Sequence, residues 1–333
     1  MTKDFLDIYI PQDSDSEKTV KTYRDGLTVF RRYILEEKHL SISEFAFGVC
    51  TFDFVLEYRN WLLDKQQKAK STVNNRIATI KSYLRYAAAK DITLQQIQLN
   101  VADVPFLREP KKIRPIIEDL DSLKALLDAP PNTKLGCRDT MILSVLFDTM
   151  IRANELICLE LKDVHINSGE PYLFIHGKGN RERTVPLSKE AIPLIEAYLE
   201  EFHPDSEDYY KPFVYTVHHQ IVHRMSERNV ERIVKKYADI VRKDYPDLPP
   251  TVYPHMFRRT RGTNLYRDGV AIEAIAIAMG HANIQTTKDH YAFSSLEQKR
   301  KAMESGGGPV IIGKKDREWP VDEDEIAHLC GLR

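Results

Sequence analysis

The sequence predicts a mainly α-helical protein of two domains, with an all-helical first part and an α-rich second part that holds a small antiparallel β-sheet. Three observations predict it. Apolar residues recur at helical spacing through the first part; prolines at 105, 110 and 115 then break the pattern; and a later helical series is interrupted by one pair of short apolar runs around a glycine-rich turn. The boundaries read as 1–107 for the helical domain, 108–119 for a linker, 120–303 for the second domain and 304–333 for a tail.

In the first domain, Asp13-Ser-Asp-Ser-Glu is a polar lead-in, with Ser14 or Ser16 as the cap of the first long helix. Val20, Tyr23, Leu27, Phe30 and Ile34 mark that helix as amphipathic. Phe52 to Leu63 repeats the pattern with Phe54, Val55, Tyr58, Trp61 and Leu62, and a third helix opens at Ser71 and runs through Ile77, Ile80, Leu84 and Ala87. In the second domain, Asp139 to Leu146 reads as a buried helix, followed by a polar break that carries Arg152 and Glu155 into another. Pro171 to His176 and Thr184 to Leu187 read as the strands of a hairpin, with Lys178 at the start of its turn. Ile192 to Phe202 and Arg228 to Tyr245 are helical, the latter charged on one side.

Composition is that of an ordinary water-exposed globular chain, 42% hydrophobic and 29% charged over 333 residues. No apolar run reaches the roughly 20 residues of a membrane span, and the start does not read as a signal peptide. The four cysteines are isolated from one another, so reduced thiols and a cytoplasmic, nucleoid-associated protein are expected. Net charge is −1, which by itself speaks against a nucleic-acid partner, but the charges are unevenly placed. Lys70, Arg76, Lys81 and Arg85 lie in a stretch without acids, whereas Asp316, Glu318 and Asp322 to Glu325 crowd the tail. The basic stretch reads as a phosphate-contacting face of the third helix; a solvated surface is the alternative. His218, His219 and His223 lack companion cysteines or paired carboxylates, so they read as solvated or DNA-proximal, and no metal is expected.

The stretch from Pro254 to Tyr291 carries the chemistry. Pro254 favours a helix start, which puts His255 and Arg258 on one face. Gly269 ends that helix, Ala271 to Met279 forms an apolar second one, and Gly280 closes it, leaving His281 where a helix stops. Asn283 is a candidate cap for a further helix carrying Tyr291. Two histidines, an arginine and a tyrosine delivered from helix ends suit an anion and an oxygen nucleophile. Each has a plain structural reading as well: Tyr291 as packing, His281 as a helix-dipole partner, Arg152 with Glu155 as an ion pair, Lys178 as an exposed turn residue.

Taken in order, Arg152 with Glu155, Lys178 in Gly177-Lys-Gly-Asn-Arg-Glu-Arg-Thr-Val-Pro-Leu, His255-Met-Phe-Arg258, Met-Gly-His281 and Tyr291 resemble the tyrosine recombinases of the phage-integrase family, over about residues 15 to 300. The resemblance implies a helical core-binding, SAM-like DNA-binding domain followed by a catalytic domain. It implies Tyr291 as nucleophile, His255 as general base, Arg152 and Arg258 on the non-bridging phosphate oxygens, His281 as a further donor and Lys178 as general acid. Glu155 would orient these groups from behind. A 3′-phosphotyrosyl link conserves the bond energy, so no cofactor or metal is implied.

There are departures from the family pattern. Its usual Thr-Gly-Leu-Arg is here Thr149-Met-Ile-Arg152, and the residue after Arg258 is Arg259, which adds charge near the phosphate path. No arm-binding domain is recognisable ahead of the helical part, which implies binding to core crossover sites alone. The implied assembly is a homo-tetramer on double-stranded DNA, with Gly306-Gly-Gly as a joint and Pro309-Val-Ile-Ile as a short strand docking in trans; a disordered acidic tail is the alternative. Integration, excision or transposition of a mobile element is the expected role. A type IB topoisomerase, an inactive DNA-binding accessory protein and a chromosome-dimer resolvase remain open.

Overall fold

The computed structural model describes residues 1–13, 17–41, 43–109, 114–177, 181–204, 207–281 and 323–331. Contacts divide the chain into two compact units, one of Met1–Arg114 with Gly177–Arg181 and one of Pro115–His176 with the chain from Glu182 onward. The expected Ser14 and Ser16 caps, Lys178, the Asn283 cap, Tyr291 and the Pro309-Val-Ile-Ile strand lie outside the described residues.

The first unit is helical: α1 (Thr2–Asp4), a π-helical turn (Phe5–Tyr9), α2 (Ile10–Asp13), α3 (Glu17–Lys38), α4 (Phe52–Asp64), α5 (Lys70–Lys90) and α6 (Gln95–Ala102). The apolar spacing read from the sequence becomes its core, where Phe30, Tyr33, Phe54, Tyr58 and Trp61 meet Val73, Ile77, Ile80 and Leu84. Their rings pack largely edge to face, as the Phe30–Tyr58 pair does at 4.9 Å and 72°. Gly26 lets α3 cross close to α5, because a Cβ there would come within 2.7 Å of the Thr79 side chain. The ends of α4 follow local chemistry: Thr51 caps it by accepting the Phe54 N–H at 3.2 Å.

The helical N-terminus was not foreseen. Phe5 is buried among Tyr23, Tyr83 and Tyr86, with ring centroids 5.1–5.6 Å away. Pro11 stands two residues past the wide π turn; a proline removes one helical N–H and crowds the preceding turn, and a π turn makes room for that. Beyond α6 the chain has no regular secondary structure over 105–109 and is tied down by side chains of the same unit. Asn74 brackets Leu107, donating to its carbonyl at 3.0 Å and accepting its N–H at 2.8 Å, while Arg59 donates to the Pro105 carbonyl at 3.0 Å.

The second unit contains α7 (Leu120–Asp128), α8 (Lys134–Asp148), α9 (Ala153–Cys158), α10 (Ala191–Phe202), α11 (Glu227–Val241), α12 (Pro254–Arg267) and α13 (Ile272–Met279). Strands β1 (Val164–His165), β2 (Tyr172–Gly177) and β3 (Arg181–Pro186) form one sheet in the order β1-β2-β3. Helix α8 is the centre of the core: Met141, Ile142, Val145 and Leu146 pack with Leu173 and Val185 of the sheet, Ile195 of α10, Val234 of α11 and Phe257 of α12. Its one buried carboxylate, Asp139, accepts from Arg138 at 2.7 and 3.0 Å and from the Tyr237 hydroxyl at 2.9 Å.

A second hairpin, β4 (Tyr215–His218) and β5 (Ile221–Arg224), is an addition to the expected fold. Its turn residues, His219 and Gln220, both have positive φ (49° and 65°), as a two-residue hairpin turn of this hand requires. The three histidines lie here, and among the described residues no group of three or more side chains could hold a metal ion. The acidic tail contains a helix, α14 (Glu323–Leu329), where the sequence suggested either docking or disorder. No helix among the described residues is long and apolar enough to cross a membrane.

Candidate active site

Helix α12 starts at Pro254 after an extended Tyr253, the conformation a following proline enforces. His255 is exposed at its first turn, and Arg258, one turn on, is only 2% exposed. The Arg258 guanidinium is held by two backbone carbonyls: Nη1 donates to Met150 and Nη2 to Met279 at 2.6 Å. Those contacts fix its plane and tie two loops to one helix.

The first loop, Thr149 to Arg152, joins α8 to α9. Met150 has φ 55°, a left-handed conformation that costs an L-residue with a side chain about 1–2 kcal/mol. This is the position of the expected glycine, and the structure shows what the methionine adds. Its side chain is buried against Ile275 and Met279 of α13 while its carbonyl faces Arg258. The second loop follows α13, where Gly280 (φ 63°) makes a left-handed cap. The Gly280 N–H donates to Ile277 at 2.9 Å and the His281 N–H to Ala276 at 3.0 Å, the paired bonds of a Schellman motif. Half-buried His281 therefore leaves from a fixed point.

Arg152 is anchored through Glu155. The carboxylate accepts the Arg152 N–H at 2.8 Å, as the glutamate of a capping box does, and Nη1 of the same arginine at 2.8 Å. Glu155 is 6% exposed, whereas the Arg152 side chain is 40% exposed, so the buried anion orients a reachable cation. A third group completes the set: Arg183 on β3 donates to both Glu155 oxygens, at 3.1 and 2.9 Å, and through Nε to the Ala278 carbonyl at 3.3 Å. Burial alone would raise the Glu155 pKa, but the hydrogen bonds from Arg183 and Arg152 outweigh it and hold the carboxyl below its usual value.

Sequence reasoning placed Arg183 inside a family motif and gave it no role. A signal was present: Arg183 has the same strand parity as Val185 and Leu187, which are buried, while Glu182, Thr184 and Pro186 are exposed.

Two of the expected DNA contacts, Arg259 and Lys81, have partners within the protein. Arg259 is 6% exposed, its Nη2 donates to the Pro115 carbonyl and the Tyr253 hydroxyl at 2.7 Å each, and it stacks on the Tyr253 ring. Lys81 caps the end of α6 by donating to Ala102 and Val104 at 2.7 and 2.6 Å, and burial lowers its pKa. Lys70 and Arg85 are exposed and Arg76 is half-buried, with Lys70 donating to the Arg108 carbonyl and Arg76 to the Thr22 carbonyl at 3.4 Å each.

Arg258 thus ties together, through the Met150 and Met279 carbonyls, the two loops that carry Arg152 and His281, and His255 lies one helical turn from Arg258. Such a set concentrates N–H donors, two of them planar guanidiniums suited to a pair of phosphate oxygens.

Residues 119–297 match the model of the phage integrase family, and residues 3–101 that of the phage integrase SAM-like domain. Among curated proteins, tyrosine recombinase XerC of Staphylococcus epidermidis is 30% identical over 296 residues, covering 86% of this chain and 90% of that protein. Tyrosine recombinase XerD of Listeria monocytogenes is 27% identical over 304 residues, covering 90% and 96%. Among solved structures, the Tn1549 transposon integrase in complex with transposon right end DNA shares the fold at a TM-score of 0.65 and 19% identity, covering 90% of this chain and 97% of that one. The XerH recombinase bound to a palindromic difH substrate does so at 0.64 and 17%, covering 86% and 80%.

Proposed function

The chain belongs to the phage integrase family of tyrosine recombinases, and from that premise we propose that it exchanges DNA strands through a 3′-phosphotyrosyl intermediate to integrate or excise a mobile element. The observation that supports this most is the bracing of Arg152 and Arg258 by a buried carboxylate and two backbone carbonyls. Rigid, pre-oriented donors stabilise charge that develops on a pentavalent phosphorus without reorganising during the step.

In this reading the Tyr291 hydroxyl attacks the scissile phosphorus. A tyrosine pKa of about 10 requires help with the proton, which passes to His255. Arg152 and Arg258 bind the non-bridging oxygens and His281 donates to one of them. As the phosphorus bond to the 5′ oxygen breaks, Lys178 supplies the proton that makes a free 5′ hydroxyl. The phosphotyrosyl bond keeps the energy of the broken one, and attack by a 5′ hydroxyl from the partner duplex reverses the sequence. Lys70, Arg76 and Arg85 on α5 contact backbone phosphates of a core crossover site.

The test uses a duplex nicked beside the scissile phosphate, so that the short 5′-hydroxyl fragment diffuses away and traps the link. Wild type is expected to give a slow-migrating covalent species that Tyr291→Phe does not, and exchange between two labelled duplexes separates a recombinase from a topoisomerase. No covalent species on a site the protein demonstrably binds would move the accessory-protein reading forward. The proposed assembly is a homo-tetramer joined by the tail in trans. Truncation after Ser305 should lower the mass of the complex on paired sites by light scattering, and an unchanged mass would remove the tail from the assembly.

A further inference from the structure

Arg183 stands behind the proposed site. Its side chain is 13% exposed, and its guanidinium reaches two segments at once: both oxygens of Glu155 on α9 and the carbonyl of Ala278 in the last turn of α13. It also lies flat against the αL cap, since a Cβ on Gly280 would come within 2.8–3.0 Å of its Nη1, Cζ and Nε atoms. Gly280 therefore suits the position twice, through its φ of 63° and through the room it leaves the guanidinium.

Arg152 and Arg183 divide the same carboxylate. Oε1 accepts from Nη1 of each, and Oε2 accepts from the Arg152 backbone and from Nη2 of Arg183. Without Arg183, half of the donors to a buried anion disappear, and a buried carboxylate draws whatever cation remains. Arg152 is that cation, and every step it takes inward is a step away from a phosphate. Lysine is no replacement: one ammonium cannot span two carboxylate oxygens and a carbonyl on another element.

We infer that Arg183 is a positioning residue, which sets the Arg152 guanidinium through Glu155 and the departure of His281 through the Ala278 carbonyl, without itself touching DNA. The inference rests on the proposed function, in which Arg152 and His281 serve the phosphate. Its effect on Arg152 is specific to charge. Arg152 matters because a non-bridging oxygen carries a negative charge, so a substrate lacking that charge makes little demand on where Arg152 sits.

The experiment compares covalent-complex formation on two nicked duplexes, one with the natural phosphodiester and one with a neutral methylphosphonate at the scissile position. Wild type, Arg183→Lys and Arg183→Gln are measured together, with DNA binding and thermal melting of each. A displaced guanidinium should slow Arg183→Lys about 100-fold on the phosphodiester, the size expected from an error of about 1 Å in placement, with DNA binding unchanged. On the methylphosphonate, both variants should recover to within about tenfold of wild type, because the charge they fail to meet is absent. A variant that only loosens the fold slows both substrates alike, and that result overturns the inference. So does a variant that cleaves the phosphodiester at the wild-type rate, which leaves the proposed function standing. If wild type forms no covalent complex with either duplex, the proposed function fails and this inference falls with it.

Discussion

Helix α5 of the first unit and the arginine cluster of the second make opposite use of positive charge. Along α5, Lys70 and Arg85 are exposed and Arg76 is half-buried, and the helix contains no acid to pair with them. In the second unit Arg183, Arg258 and Arg259 are largely buried, and each donates to backbone carbonyls or to Glu155. The first arrangement is diffuse and tolerant, since a phosphate backbone can slide along it. The second is fixed, because every guanidinium has one place to be. In the proposed function that difference would separate holding DNA from acting on one phosphate of it.

Removing the anion from the fixed region should have the largest effect. Glu155→Ala leaves Arg183 without its counter-charge, which costs about 3–5 kcal/mol of stability, whereas Arg85→Ala on α5 should stay within about 0.5 kcal/mol. Urea unfolding of the two variants checks the contrast, and equal midpoints would erase it. Met150→Gly comes next and sets two effects against each other. Glycine relieves about 1 kcal/mol of left-handed strain, but it deletes a buried side chain whose loss costs about 2–5 kcal/mol. Packing wins, so the same unfolding measurement should show a net loss of about 2 kcal/mol.

The diffuse region should respond to salt instead. Arg76→Glu with Arg85→Glu should weaken DNA binding and reduce the slope of log affinity against log salt by about 2, close to one unit per phosphate contact. Melting should fall only slightly, since the fold loses one 3.4 Å bond from Arg76 to the Thr22 carbonyl. A wild-type slope in that double variant would place the DNA elsewhere.

Acid gives the smallest effect. The folded pKa of Glu155 lies below its ordinary value of 4.5, so its contribution is complete above that value and is lost as pH falls through the lowered folded pKa. Glu155→Gln should therefore flatten the acid side of a stability–pH curve without changing its shape at neutral pH. An unchanged acid limb would mean that Glu155 does not titrate differently in the fold.

How much of the molecule was legible in the sequence depended on whether local chemistry decided the structure. Helices α12 and α13 and their ends were legible because Pro254, Gly269 and Gly280 act where they stand, through a fixed φ or a left-handed one. The core of the first unit was legible in the spacing of Phe30, Ile34, Tyr58 and Trp61. Hairpin β4–β5 was not, because His219 and Gln220 adopt positive φ without the glycine or asparagine that announces such a turn. The internal partners of Arg259 and Lys81 were not legible for another reason. Their partners are the carbonyls of Pro115, Ala102 and Val104, and a carbonyl exists at every position, so no residue pattern marks the ones that will be near. Arg183 was the recoverable omission, since strand parity alone put it on the inner face with Val185.

The central claim is that one tyrosine among 16 makes the covalent link and that the braced arginine cluster serves it. The most direct measurement is to digest the trapped protein–DNA complex and locate the nucleotide-bearing peptide by mass. A single adduct on Tyr291 is expected, joined to the 3′ phosphate of the cleaved strand, with a free 5′ hydroxyl on the released fragment. An adduct on any other residue, or a link to the 5′ end, would contradict it.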